Sequence, residues 1–313
     1  MSGPVTTQDA DPVIQAAPPH STTVELTDSR QTQVGAFGIR RALPRRGRRT
    51  VGAWCFVDHM GPAEVSVDGN FGIAPHPHMG LQTVTWLLAG ELVHRDSLGV
   101  EQVIRPGQLN LMSAGIGVVH SEERTGRYAG KMHGVQLWVA QPAATRDGPA
   151  AFEHHGELPK LEMAASVATV LVGELEGATS AGRRDTDHVG VDLDLRGPPI
   201  VVPLHAGWEY ALVAFTGAVL VDDQVVVPGK LAYLGTGRQE CRLSTNEASR
   251  ALLFGGVPFE EPILMWWNFV ARTQDEISSA YQDWKALDPR FGPVDSVLPR
   301  IEVGPPPWTN QRG

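Results

Sequence analysis

The chain has 313 residues, enough for two domains and a substantial buried core, and its 42% hydrophobic and 19% charged residues are those of an ordinary globular protein. A net charge of -9 with mostly dispersed basic residues gives no general electrostatic footprint for nucleic acid. The two cysteines, Cys55 and Cys241, are too few and too far apart for a disulfide framework; they fit a reducing cytoplasm, and each reads as a small buried hydrophobe.

Residues 1–23, "MSGPVTTQDADPVIQAAPPHSTT", are rich in Pro, Ser, Thr and Ala and lack both a basic n-region and an apolar h-region. They read as a disordered tail. No later stretch has the uninterrupted apolar length of a membrane span. From residue 24 onward, short runs of β-branched and aromatic residues alternate with Gly and Pro turn signals, so the expectation is a mostly β protein. The run "RRALPRRGRR" at 40–49 is a local basic patch, read as a solvated loop near a barrel rim. Asp58-His59 has no nucleophile-elbow pattern beside it, which sets hydrolase triads aside.

The stretch "APHPHMGLQTVTWLLAG" at 74–90 places His76 and His78 one residue apart, ahead of an alternating apolar run ending at Gly90. A second strand leaves that glycine, and the turn Pro106-Gly107 starts the next. Residues 210–237 repeat this grammar with Gly217 and Pro228-Gly229. Two tandem β units predict a duplicated pair of β-barrels. The duplication also tests the histidines. Counted back from Gly217, the offsets of His76 and His78 land on Pro203 and His205. The offset that carries Pro106 to His120 carries Pro228 to Arg242. The second copy is therefore expected to have kept its turns and lost the site.

Residues i and i+2 of a strand point the same way. His76 with His78, and His120 with Glu122 in "GVVHSEE", are two such pairs that neighbouring strands can deliver into one barrel interior. Three neutral imidazoles and one carboxylate leave a divalent first-row metal with open positions, a catalytic arrangement more than a structural one. Fe(II), Ni(II), Cu(II), Co(II), Mn(II) and Zn(II) all suit this donor set. His94 in "VHRDS" reads as a surface pair with Asp96 or as a donor behind a ligand. His59 and His133 are placed near the barrel mouth, and His154-His155 in an exposed interdomain loop. Thr273 and Glu276 have the spacing of a helix capping box.

The stretches "GAWCFVDHMGP" (52–62), "PHPHMGLQTVTWLLAGELVHRDSLG" (75–99), "RPGQLNLMSAGIGVVHSEE" (105–123) and "GVQLWVA" (134–140) resemble the pirins, a bicupin family. The stretch "EEPILMWWNFVARTQDEISSAYQDW" (260–284) is similar to the family's terminal segment. The resemblance implies an all-β fold of two tandem cupin (jelly-roll) barrels with a short C-terminal helix. It implies mononuclear non-haem Fe(II) held by His76, His78, His120 and Glu122. The domains expected are a tail at 1–23, a metal-bearing cupin at 24–150, a cupin without ligands at 151–260, and a segment at 261–313 packing back on the first domain. Activity implied is that of a quercetin 2,3-dioxygenase, with a phenolic or flavonol substrate and O2; Glu122, as the one carboxylate placed at the centre, is expected to be both ligand and catalytic proton acceptor, switching roles as the substrate binds. The alternative implied is a redox-responsive regulator of a protein partner, to which the basic run could contribute. No nucleic-acid or membrane partner is expected, and a monomer is the default. Met79 stands where an arginine is frequent in the family, and Gln82 where many members carry glutamate.

Overall fold

The computed structural model describes residues 23–34, 37–66, 72–126 and 128–309. The tail expected at 1–23 thus falls, but for Thr23, outside the described residues. Two-residue periodicity decides the secondary structure. In Glu209–Thr216, Tyr210, Leu212 and Ala214 enter one apolar cluster while Ala211, Val213 and Phe215 enter another on the opposite face. The fold is all-β with one helix among the described residues, and it forms two jelly-roll barrels.

Each barrel closes a seven-stranded sheet against a four-stranded one. In the first, the large sheet runs in space as Ala151–His155, Leu109–Ser113, Leu81–Ala89, Gly130–Ala140, Trp54–Val65, Phe37–Leu43 and Arg30–Val34. Its small sheet runs Gly72–His78, Val118–Arg124, Leu92–Asp96 and Glu101–Ile104. In the second barrel the corresponding orders begin at Glu25–Asp28 beside Lys230–Gly235, and at Ile200–Pro203 beside Glu240–Ser244. The duplicated glycines serve the same purpose in both copies: Gly90 at φ 93° and Gly217 at φ 66° make turns in the left-handed region that glycine tolerates.

The sheets do not divide at 150/151. Glu25–Asp28, which precedes the first barrel, pairs antiparallel with Lys230–Gly235 of the second, and Ala151–His155, which precedes the second, pairs with Leu109–Ser113 of the first. Each barrel's leading strand closes the other's large sheet. Local alternation identifies a strand but not its partner, so this exchange is invisible to periodicity. His154 accordingly lies in a strand, half-buried, with Nδ1 2.7 Å from Asn110 Oδ1, and not in an exposed loop.

The outer faces of the two large sheets pack on each other. Trp54, Trp86, Leu111 and Leu137 share one core with Phe215, Leu252 and Phe254. Trp54 Nε1 donates across the contact to Val189 O and Gly255 O at 3.2 Å. The basic run makes structural contacts, part of them at this junction. Arg41 pairs with buried Asp58 at 2.6 Å, Arg48 lies 3.3 Å over the Tyr233 ring, and Arg45 donates to Asp28 O at 2.9 Å. Only the tip of the run, Arg46 and Gly47, is exposed as a solvated loop. His59 and His133 also lie here, away from the barrel mouth, with Nε2 atoms 2.7 Å apart and the Phe215 ring 4.9 Å from His59.

The C-terminal segment leans on the first barrel. The hairpin Leu264–Trp266 with Phe269–Ala271 reaches the end of the His76 strand, where Val270 N–H donates to Met79 O at 3.0 Å. Gly80 permits the approach, since a Cβ there would stand 2.1 Å from Val270 O. The helix Gln274–Ala286 follows, its first turn capped by Thr273, whose side chain accepts from Glu276 N–H. The Glu276 carboxylate accepts from Arg272 N–H at 2.8 Å and takes Arg146 bidentately at 2.9 Å. Among the described residues no helix is long and apolar enough to cross a membrane.

Candidate metal centre

The small sheet of the first barrel turns its histidines inward. Gly72–His78 and Val118–Arg124 are antiparallel neighbours, with His76 directly opposite His120. His120 Nε2 lies 3.1 Å from both His76 Nε2 and His78 Nε2. All three rings are buried, at 3%, 1% and 1% exposure. Among the described residues, His76, His78 and His120 form the group whose ligand atoms lie within 4.8 Å of one another.

The opposite ring nitrogens show which tautomers are present. His76 Nδ1 faces Ala74 O at 2.8 Å, and His78 Nδ1 faces Asn268 O at 3.2 Å. A carbonyl can only accept, so both Nδ1 atoms carry protons and both Nε2 atoms present lone pairs. Burial pushes His76 down to about 3 and His78 and His120 well below the ordinary histidine value, so all three stay neutral. Converging lone pairs in a dry interior repel unless a cation or an N–H donor lies between them. The residues present therefore fit a divalent metal, and the cluster can hold one.

Glu122 sits outside that triad. Its side chain is buried and Oε1 stands 3.1 Å from Thr85 Oγ1, which is also 2.9 Å from Gln136 Oε1. One hydroxyl proton cannot serve two acceptors at once. A Gln136 amide turned to donate from Nε2 resolves the conflict, as does a protonated Glu122 donating to Thr85. Burial favours this state, raising the Glu122 pKa against the opposing influence of His94 and the Thr85 hydrogen bond.

His94 was expected as a surface pair with Asp96 or as a donor behind a ligand. It does pair with Asp96, Nε2 to Oδ2 3.1 Å, but is buried, and it stands behind His120 with the two Nδ1 atoms 3.3 Å apart. Thr85 and Gln136 went unread in the sequence because each touches Glu122 or its partner only across the barrel. The alternation of "LQTVTWLLA" placed Thr85 on one face but could not say which side chain it meets. Asn268 likewise has no local signal, yet it is wholly buried, its carbonyl orients His78, and neither polar atom of its side chain has a protein partner.

The second barrel is filled differently. Its corresponding strands bury Ile200, Val202, Cys241 and Leu243, while His205 and Arg242 are exposed. Pro203, His205 and Arg242 are thus not the residues that replace the ligands, although the ligand set is absent from these strands. Both cysteines are buried, and burial pushes each thiol up to about 12. Met79 Sδ accepts from Arg290 Nη2 at 2.7 Å. Gln82 shares the face of Val84 and Trp86, towards the second barrel, and donates to Ser113 Oγ at 2.8 Å. Its departure from glutamate therefore does not alter the polarity of the site.

Two cupin-type barrels, of which one is polar inside and gathers three imidazoles, define a bicupin with a metal-binding first domain. The chain belongs to the pirin family: the pirin model matches residues 36–139 and the model of the pirin C-terminal cupin domain matches 191–292. A Pseudomonas aeruginosa protein provisionally named as a quercetin 2,3-dioxygenase is 41% identical over 294 residues, covering 92% of each chain. A pirin-like protein of Caulobacter vibrioides is 37% identical over 267 residues, covering 83% of this chain and 92% of its own. The crystal structure of quercetin 2,3-dioxygenase from Acinetobacter baumannii matches with TM-score 0.88 and 41% identity, covering 91% of this chain and 96% of that one. An Escherichia coli pirin solved with nickel(II) shares the fold at TM-score 0.62 and 17% identity, covering 76% of this chain and 100% of its own.

Proposed function

We propose that the protein is a mononuclear iron dioxygenase of the quercetinase type, opening the heterocycle of a flavonol with O2 and releasing carbon monoxide. The observation that carries the metal is the convergence of three buried Nε2 atoms, two of them held as lone pairs by the main-chain carbonyls at Nδ1. The 41% identity with the Acinetobacter enzyme over nearly the whole chain supports the reaction class. His76, His78 and His120 would hold the metal, with Glu122, on the same strand as His120, as the fourth ligand. When bound, the divalent ion acidifies the flavonol 3-hydroxyl and brings substrate and O2 together.

The chain's own residues manage the proton. Glu122 as carboxylate accepts the proton of the 3-hydroxyl, and Thr85 with Gln136 stabilises the acid that results. Burial favours that neutral acid and so raises the basicity of the carboxylate. Overall, the flavonol gains both atoms of O2, its ring carbon chain is cut at two bonds, and one carbon leaves as carbon monoxide.

The test is anaerobic reconstitution with Fe(II), then O2 uptake with quercetin and detection of carbon monoxide, using His76→Ala as the blank. Uptake with carbon monoxide release, lost in the variant, is the expected result. Stoichiometric iron without turnover would overturn the quercetinase reading. A Glu122→Gln protein that keeps its metal and full turnover would remove Glu122 as the base.

A further inference from the structure

Of the three acceptors that set the ligand tautomers, two are main-chain carbonyls, at Ala74 and Asn268. The third, facing His120 Nδ1, is a ring nitrogen of His94. A carbonyl accepts under all conditions. An imidazole nitrogen accepts only when the proton sits on the other nitrogen.

We propose that His94, held in one tautomer by Asp96, is a positioning residue that keeps the Nε2 lone pair of His120 directed at the metal. The proposal rests on the reading of His76, His78 and His120 as metal ligands. Asp96 Oδ2 lies 3.1 Å from His94 Nε2, and Asp96 Oδ1 is fixed by the N–H groups of Leu98 at 2.9 Å and Val100 at 3.1 Å. Tethered at one oxygen, the carboxylate presents the other as an acceptor, so His94 carries its proton on Nε2. Nδ1 of His94 is then a lone pair, and His120 must donate to it from Nδ1. The ring of His94 is kept in place by stacking on Phe152, 4.4 Å away and tilted by 23°.

Phe152 belongs to Ala151–His155, the strand that precedes the second barrel and closes the large sheet of the first. The exchanged strand therefore buttresses the site as well as the sheet. Without the His94 acceptor, His120 is free to protonate at Nε2 and donate to His76 or His78, each 3.1 Å away. That hydrogen bond would satisfy the apo cluster internally and compete with the cation. Orienting partners of this kind affect metal affinity by about 10- to 100-fold.

The experiment uses Co(II) as the probe on full-length apo-protein, with affinity measured by chelator competition and the site read by the Co(II) visible spectrum. Long-range ¹H–¹⁵N correlation of the imidazoles reads the His120 tautomer directly. The wild type should bind Co(II) and show the Nδ1–H form at His120. His94→Phe should weaken Co(II) about 10- to 100-fold and populate the Nε2–H form. His94→Asn, whose Oδ1 falls near the lost Nδ1, should recover most of the affinity, and Asp96→Asn should weaken it with His94 still present. If His94→Phe fails to fold, Asp96→Asn and His94→Asn carry the same contrast. Wild-type affinity and tautomer in His94→Phe, or in Asp96→Asn should the former not fold, would overturn the proposal while leaving the metal site standing. A wild type that takes up no Co(II) would overturn the metal reading and this inference with it.

Discussion

The two barrels share strand order and differ in what points inward. The first turns His76, His78, His94, Asp96, His120 and Glu122 into its interior, while the second lines its own with apolar residues such as Val170, Leu212, Leu234 and Val202, beside a cavity of about 300 Å3 bordered by Val191 and Leu253. An apolar interior stabilises by roughly 25 cal/mol per Å2 buried. A polar interior is tolerated only where its groups are paired, and unpaired ones cost about 1–3 kcal/mol each. The second barrel thus supplies stability and the first supplies chemistry. Their joined large sheets and exchanged leading strands couple the two.

The largest expected break in that division is at the site. His120→Ala should abolish stoichiometric metal, measured by elemental analysis, and with it the iron-dependent O2 uptake. Next comes the second interior: Leu212→Ala, at a position with 0% exposure, should cost about 2–5 kcal/mol in urea unfolding. Metal stoichiometry per folded molecule should be unchanged there. Third, a metal that binds only the folded first barrel should stabilise the protein by about 2.7 kcal/mol at a free concentration 100 times Kd. Calorimetry should show that gain in the wild type and none in His76→Ala.

The smallest effect belongs to the contact between the barrels. Burial pushes His59 down to about 2 and His133 to about 4, with the nearby Arg40 charge acting the same way. Unfolded, both take up protons near the ordinary value of 6.5. Their contribution is therefore fully present above about 6.5 and is lost as pH falls towards the folded values, because the unfolded chain then binds more protons. His59→Gln with His133→Gln should flatten the acid limb of stability measured by urea titration at a series of pH values. An acid limb as steep as that of the wild type would remove this pair from the account.

Much of this was legible in the chain. The paired glycines at 90 and 217 and the alternation around them gave away the duplication, and Thr273 announced the helix start. The His76, His78 and His120 cluster followed from i, i+2 geometry on two strands. What stayed hidden was long-range. Which barrel a strand joins, which threonine meets Glu122, and that His94 accepts from His120 all depend on residues brought together from distant parts of the sequence. Offset counting also slipped in the second copy, because loops of unequal length separate the landmark glycine from the inward positions.

One metal per chain, held in the first barrel, is what the division between the two barrels requires. Anomalous scattering at the metal edge from crystals of reconstituted protein should give a single peak between His76, His78 and His120, absent from the second barrel and lost in His120→Ala. A peak elsewhere, a second peak in the other barrel, or an intact peak in His120→Ala would contradict it.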